Sequence, residues 1–321
     1  MAAAVYFDRR MSDDERRQAL YAGALFVYSP SPATERLCAL GRSMIEAAFA
    51  PHDPRRIDCH LEKEECAAIL AKLKPAFIHH PECKILLPQI VTELGGDVEN
   101  IYFDVPRLRS AYPIDYLTSG IAYAFHAHRD TWYSAPMCQI NWWLPIYEIT
   151  PENCLAFYPR YFARVLRNSS EIYNYYEWNQ KSRAEAAKHV RSDTREQPRL
   201  QEEIEHDDLR LLLPPGGMVL FCGAHLHETV PNTSGVARYS IDFRTVHRGD
   251  VVAQRGAANM DSRCTGTTMR DYLRCSDLQR LPEDLIKSYD DGTEVGRAAL
   301  IFDRGLVMSQ QTPDGTSGLP H

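Results

Sequence analysis

The chain contains no apolar run approaching the roughly 18 residues of a membrane span, and no basic stretch followed by an apolar one opens its N-terminus. No block of Lys and Arg is long enough to track a phosphate backbone, and a net charge of −7 over 321 residues opposes such a partner. There is no C-x-x-C pair and no internal repeat. The nine Cys (Cys38, Cys59, Cys66, Cys83, Cys138, Cys154, Cys222, Cys264 and Cys275) are scattered and odd in number. That pattern reads as free, mostly buried thiols in a reducing compartment and argues against a zinc site built from them. Membrane proteins, disulfide scaffolds and nucleic-acid binders are thereby set aside, and a cytoplasmic protein with a small-molecule partner is expected. A hydrophobic fraction of 44% and a charged fraction of 25% are enough to build one ordinary globular core.

The expected organisation is a single domain over residues 1–321. N-terminal helices occupy 1–100, a barrel core 101–160 and 210–248, a helical insertion 160–210 and a polar extension 248–321. Near the start, a helix leads to a short strand over 24–28, a Ser-Pro-Ser-Pro turn and an amphipathic helix from about Thr34. In that helix Leu37, Leu40 and Ile45 recur at helical spacing. Further helices are expected over 61–74, 83–95 and around 282–290. Strands begin at Ile101-Tyr102-Phe103, continue through 121–125 into the sequence His128-Arg129-Asp130, and resume from Gln139 to Ile146. The last dozen residues read as frayed. The insertion is rich in Arg, Glu, Gln and Tyr and too poor in aliphatics to bury a core of its own.

An H-x-D pair and one distant His form the donor set with which a β-barrel presents two imidazoles and a carboxylate to one face of a ferrous ion. In extended backbone, residues two apart share a side, so His128 and Asp130 converge while Arg129 turns away. About a hundred residues later an apolar strand leaves the Pro214-Pro215-Gly216-Gly217 turn and runs Met218-Val219-Leu220-Phe221. It is followed by His225-Leu226-His227-Glu228-Thr229-Val230-Pro231-Asn232, and a returning strand carries Arg238-Tyr239-Ser240-Ile241-Asp242-Phe243-Arg244. Gln139, Asn141 and Trp143 alternate with Ile140, Trp142 and Leu144, giving one polar-aromatic face and one apolar face, as suits a strand between a site and a helical layer.

These segments resemble the Fe(II)/2-oxoglutarate-dependent dioxygenases of the phytanoyl-CoA-dioxygenase-like branch. In that branch a strand ending H-x-[ST]-x-P-N supplies the last iron ligand, and an Arg eleven residues on holds the distal carboxylate of 2-oxoglutarate. His227 and Arg238 stand in that relation, and the stretch Thr150 to Pro159 is similar to the family's T-x-E-N-G-x-L-x-x-x-P, with Cys154 in place of Gly. The likeness covers residues 120–160 and 210–246 well and the first hundred loosely. It implies a mainly β fold with flanking helices around a double-stranded β-helix (a jelly-roll, cupin-like core). It implies Fe(II) on His128, Asp130 and His227, with 2-oxoglutarate and O2 as co-substrates. The activity implied is hydroxylation, desaturation, epoxidation, epimerisation or cyclisation of a small polar metabolite or natural-product intermediate, with release of succinate and CO2. Arg238, aided by Ser240 on the same face, would clamp 2-oxoglutarate, with Trp143 beside it and Gln139 and Asn141 on the same site-lining strand. Arg244 lies further along that face and reads as structural. An Asp at 130 argues against halogenation, since related halogenases place a small residue there.

Several readings stay open on the sequence. His126-Ala127-His128 also has strand spacing, with Gly120 six residues ahead as in cupins. A cupin-type isomerase or dioxygenase using His126, His128 and His227 is therefore the rival, although Trp132 and Tyr133 occupy the positions where its Glu belongs. His126 otherwise reads as a substrate-side residue. His225 competes with His227 as ligand and is otherwise placed at the substrate. Trp132 and Tyr133 are either pocket walls or plain packing. Tyr173, Tyr175, Tyr176 and Trp178 belong either to a lid over substrate, with Tyr176 touching it, or to a homodimer surface. A non-catalytic binding barrel is the third class.

Overall fold

The computed structural model describes residues 4–290, apart from 123–125, 183–185, 192, 194 and 206. Its centre is a long strand, β10 (Arg238–His247), on which most of the main sheet is assembled. On one edge β10 pairs antiparallel with β5 (Ile140–Pro145). On the other it pairs first with β4 (Arg107–Ala111) and then with β3 (Ile101–Phe103). Beyond β5 come β8 (Met218–Cys222), β2 (Leu25–Tyr28) and β1 (Val5–Phe7), and β11 (Leu273–Arg274) closes the opposite edge. A second sheet holds three short strands in the order β7 (Leu209–Arg210), β6 (Leu155–Phe157) and β9 (His227–Thr229). The architecture is thus sheet-rich with flanking helices. Among the described residues no helix is long and apolar enough to cross a membrane.

Two-residue alternation in the central strands sorts their side chains between layers. Ile140, Trp142 and Leu144 of β5, Met218 and Leu220 of β8, and Tyr239, Ile241 and Phe243 of β10 share one core with the helices. Those helices are α1 (Asp13–Tyr21), α2 (Pro32–Phe49), α3 (Lys63–Ile78) and α4 (Pro81–Glu93). α1 and α2 begin at Ser12 and Ser31, each of which closes a capping box. α2 then buries Leu37, Ile45 and Phe49 against the sheet at helical spacing. The opposite face of the same strands carries Asn141, Trp143, Phe221, Arg238, Asp242 and Arg244, which look into a cavity between the two sheets.

The structure corrects the expected organisation in four places. In the N-terminal hundred residues the strand expected over 24–28 is present as β2, but β1 joins it, and the two extend the main sheet through the pairing of β2 with β8. The strands expected from 101 through 121–125 into the H-x-D do not all form. β4 takes the position beside β10, residues 120–122 form a 3-10 turn, and 123–125 lie outside the described residues. Among its described residues the insertion 160–210 forms short turns rather than long helices, with α5 (Tyr175–Glu177) only three residues long. It is fastened to the segment after β4 where Ser119 donates to the carbonyl oxygens of His189 and Val190. Beside that anchor Gly120 has φ +59°, and a Cβ there would sit 2.3 Å from the carbonyl oxygens of Ala186 and His189, so only glycine fits. Finally, the C-terminal extension is not a loose polar tail. Besides the helix expected around 282–290, present as α7 (Glu283–Lys287), it adds β11 and a short α6 (Arg248–Val252) and buries Met269, Tyr272 and Ile286 in the main core. The segment read as frayed lies outside the described residues.

Candidate metal centre and its cavity

His128 and Asp130 lie outside any named strand, yet the expected convergence holds. The backbone of His128 exchanges two hydrogen bonds with His227 at 3.0 Å each. Arg129 is extended (φ −107°, ψ 140°), and Asp130 opens a 3-10 turn. That single bridge brings the two imidazoles together, 4.4 Å between ring centroids with their planes tilted by 46°, and the extended Arg129 returns the Asp130 carboxylate to their side. Each ring is fixed through Nδ1, which donates to a carbonyl oxygen, His126 for His128 (2.7 Å) and His225 for His227 (2.9 Å). The tautomer so selected leaves both Nε2 lone pairs directed at Asp130 Oδ1, 3.4 and 3.9 Å away. One ligand atom from each of the three residues lies within 4.8 Å of the others, and all three residues are buried.

Arg129 does turn away, and it does structural work. Its guanidinium donates to the carbonyl oxygens of Ala224, Tyr161, Arg164 and Phe162 and lies 3.3 Å from the Asp261 carboxylate. The segment around the site is thereby tied to both the insertion and the extension.

The electrostatics favour a charged Asp130 and a neutral His227. Burial pushes the Asp130 carboxyl up, but the close approach of His128, the charge of Arg244 and the nearness of His227 outweigh this and hold it well below the usual carboxylate range. Burial, then the charge of His128, pushes His227 down to about 3. Gln139 supports the carboxylate. Its amide nitrogen Nε2 donates to Asp130 Oδ2 at 3.0 Å and to Asn141 Oδ1 at 2.9 Å, while its Oε1 accepts from Tyr272 at 2.8 Å.

On β10, Arg238 is buried, with Nη1 donating to Ser240 Oγ (2.9 Å) and Nη2 to Thr229 Oγ1 (3.2 Å). Its guanidinium lies 5.4 Å from the Trp143 ring centroid. Burial pushes it down to about 10, which still leaves a cation at neutral pH. Arg238 Nε and Asn141 Nδ2 are buried without a hydrogen-bond partner. Both residues line the cavity, whose volume is about 530 Å³ and whose walls also include His128, Asp130, His227, Gln139, Trp143 and Tyr133.

Of the other sequence candidates, Tyr133 lines the cavity, with its ring edge-on to His128 at 5.4 Å. Four sit elsewhere. Trp132 is fully buried and its indole N–H donates to Asp261, so it is packing rather than pocket wall. The side chain of His225 packs among Phe157, Phe162 and Phe221, away from the cavity, and burial pushes it down to about 4. His126 is exposed and lies outside the three-residue donor set, to which it offers its carbonyl oxygen, so the imidazole that the cupin-type rival needs is not grouped with the other ligands. Tyr176 turns to the extension, donating to Asp290 and accepting from Arg270. Its neighbours Tyr173, Tyr175 and Trp178 line the cavity instead.

Residues not singled out as site groups also face it. Arg244 is 3.8 Å from Asp130 Oδ2 and 3.2 Å from Asp104 Oδ2, and Arg109 pairs with Asp242 at 2.5 Å. For Arg244 and Asp242 the signal was present, since both continue the i, i+2 face that begins at Arg238. Lys74 and Arg195 reach the cavity from α3 and the insertion, which no local pattern reveals.

No family model and no curated protein sequence matches the chain. Among solved structures it is similar to EvdO2 from Micromonospora carbonacea var. aurantiaca complexed with 2-oxoglutarate, at 16% identity over 75% of this chain and 93% of that one, TM-score 0.42. It is similar also to the non-heme α-ketoglutarate-dependent epimerase SnoN from nogalamycin biosynthesis, at 11% identity over 73% and 84%, TM-score 0.38. A third likeness is to the non-heme monooxygenase ThoJ, at 14% identity over 68% and 71%, TM-score 0.36. At these values the case for function rests on the site itself.

Proposed function

We propose that the chain is an Fe(II)/2-oxoglutarate-dependent oxygenase acting on a small molecule, with the N-terminal helices, the insertion and the extension all parts of one catalytic unit. The two sheets facing each other across the cavity are read as the two faces of a double-stranded β-helix. The observation that carries the reading is the joint presence, in one cavity, of a buried two-His, one-carboxylate donor set and a buried Arg with an unpartnered Nε. The donor set fits Fe(II) because both Nε2 atoms and an ionised carboxylate point at one volume. The Arg fits a dicarboxylate co-substrate because a planar guanidinium with a spare donor matches a carboxylate edge.

His128, Asp130 and His227 would hold the metal, and the carbonyl oxygens of His126 and His225 keep the rings aimed. Gln139 and Arg244 hold Asp130 in place and ionised. Arg238, set by Ser240 and Thr229, would take the far carboxylate of 2-oxoglutarate, and the Asn141 amide offers a further donor. When bound, iron with 2-oxoglutarate and O2 supplies oxidation of an unactivated C–H bond, giving succinate and CO2. The protein contributes orientation and a wall of Tyr133, Tyr173, Tyr175 and Trp178 that excludes water.

The test is an alanine series read by Fe(II) binding and by Fe(II)-dependent release of succinate from 2-oxoglutarate. His128→Ala, Asp130→Ala and His227→Ala are expected to abolish both, while His126→Ala and His225→Ala retain metal. Retention of tight Fe(II) binding in His227→Ala, with loss in His225→Ala, would overturn the ligand assignment.

A further inference from the structure

The cavity walls are strongly cationic. Lys74, Arg107, Arg109, Arg195, Arg238 and Arg244 all line it, against the carboxylates of Asp130 and Asp242. Asp104 and Asp193 compensate Arg107 and Arg195 from behind, Asp130 is committed to the metal centre, and Asp242 is shared between Arg109 and Arg244. The imbalance is concentrated where α3 meets β4. There the Lys74 ammonium donates to the Ile121 carbonyl oxygen and, among the described residues, forms no ion pair with a carboxylate. Burial, then the nearby charge of Arg109, pulls Lys74 down to about 7. In the same wall Ser110 Oγ is buried and without a partner, and so is His79 Nδ1 at the end of α3. Crowded cations beside orphaned polar atoms are costly in a protein interior unless something supplies negative charge and acceptors. The co-substrate does not meet this need, since its far carboxylate is assigned to Arg238.

We infer that the wall formed by Lys74, Arg109 and Ser110 is a binding site for an oxyanionic group, a carboxylate or a phosphate, carried by the primary substrate. The inference deepens the oxygenase reading and rests on it for the word substrate. Lys74 and Arg109 supply the charge and Ser110 a hydroxyl donor. Ala71, Pro75, Ile78 and Ile121 give an apolar surface for the carbon body beside the anion. Arg195, held over the Trp178 ring at 5.1 Å, brings a further cation from the insertion. The substrate is therefore an organic acid or phosphate ester whose charged end is held at α3 and β4 while its carbon body extends toward the metal centre.

The experiment is calorimetric titration of the anaerobic Fe(II)–2-oxoglutarate protein with inorganic phosphate, with 3-phenylpropionate and with uncharged 3-phenylpropanamide. At least one anion is expected to bind saturably and the amide not to bind, and the better anion tells carboxylate from phosphate. Lys74→Met is expected to weaken that anion about tenfold or more, the loss of one charge-assisted contact, while leaving 2-oxoglutarate affinity unchanged. Lys74→Arg should largely restore anion binding, and Ser110→Ala should weaken it to a smaller degree. The inference is overturned if neither anion binds, if the amide binds equally well, or if Lys74→Met leaves the anion unaffected. It is also overturned if Lys74→Met weakens 2-oxoglutarate as much as the anion, for then the cluster belongs to the co-substrate. Should 2-oxoglutarate itself fail to bind, the oxygenase reading falls, and the same titrations on metal-free protein decide the anion site alone.

Discussion

Arg238→Lys separates co-substrate recognition from metal recognition within one cavity. In the wild type two guanidinium nitrogens are already fixed, by Ser240 at 2.9 Å and Thr229 at 3.2 Å, so the group is held in place before ligand arrives and Nε remains to be satisfied. A lysine keeps the charge but cannot reproduce a planar fork, and it cannot hold both hydroxyls while meeting a carboxylate. Losing one charge-assisted hydrogen bond in a desolvated site costs about 1.5–3 kcal/mol, which is roughly tenfold to over a hundredfold in affinity. The assay is titration of the anaerobic Fe(II) protein with 2-oxoglutarate, followed by tryptophan fluorescence, since Trp143 lies against the guanidinium. Fe(II) affinity is measured in parallel. The expected result is a weakened 2-oxoglutarate dissociation constant in that range with Fe(II) affinity unchanged. An unchanged 2-oxoglutarate constant removes Arg238 from the site, and an equal loss in both affinities means that the substitution has damaged the fold instead.

Gln139→Leu removes the 3.0 Å donor to Asp130 without touching a ligand. Fe(II) affinity is expected to fall by roughly tenfold to a hundredfold, the usual cost of losing an outer support, and an unchanged affinity in a direct metal titration would exclude that role. Lys74 gives a pH signature. Its folded value of about 7 lies below the ordinary Lys value, so between about pH 7 and pH 10 the unfolded chain holds a proton that the folded chain has released. Stability should therefore rise with pH across that window in the wild type and rise less in Lys74→Met. Parallel denaturation curves for the two proteins at both ends of the window would contradict the burial of that ammonium.

Much of this centre was legible because it is built from short-range pattern. The alternation of β5 and β10 assigned Asn141, Trp143, Arg238 and Ser240 to one face, and the resemblance to the family's H-x-[ST]-x-P-N motif distinguished His227 from His225. What failed was tertiary in origin. Trp132 reads as a pocket wall because it is two residues from Asp130, but the 3-10 turn that begins at Asp130 swings it into the core toward Asp261. Tyr176 belongs to an aromatic cluster whose members divide between cavity and extension, a division set by Arg270 and Asp290 about a hundred residues away. β2 is the strand expected over 24–28, but β1 is only three residues long, too short for periodicity to place, and only the pairing of β2 with β8 brings the two into the main sheet. Lys74 has the sequence setting of an ordinary helix-surface lysine. Its position in the cavity wall depends on where α3 comes to rest.

The central claim, that one cavity holds Fe(II) and 2-oxoglutarate together, is tested most directly by visible absorption of the protein under anaerobic conditions. Fe(II) alone is expected to give no visible band, and adding 2-oxoglutarate should produce a weak metal-to-ligand charge-transfer band that saturates at one equivalent of iron per chain and is missing in Asp130→Ala. If protein shown to bind both ligands gives no such band, iron and 2-oxoglutarate are not in contact, and the account is contradicted.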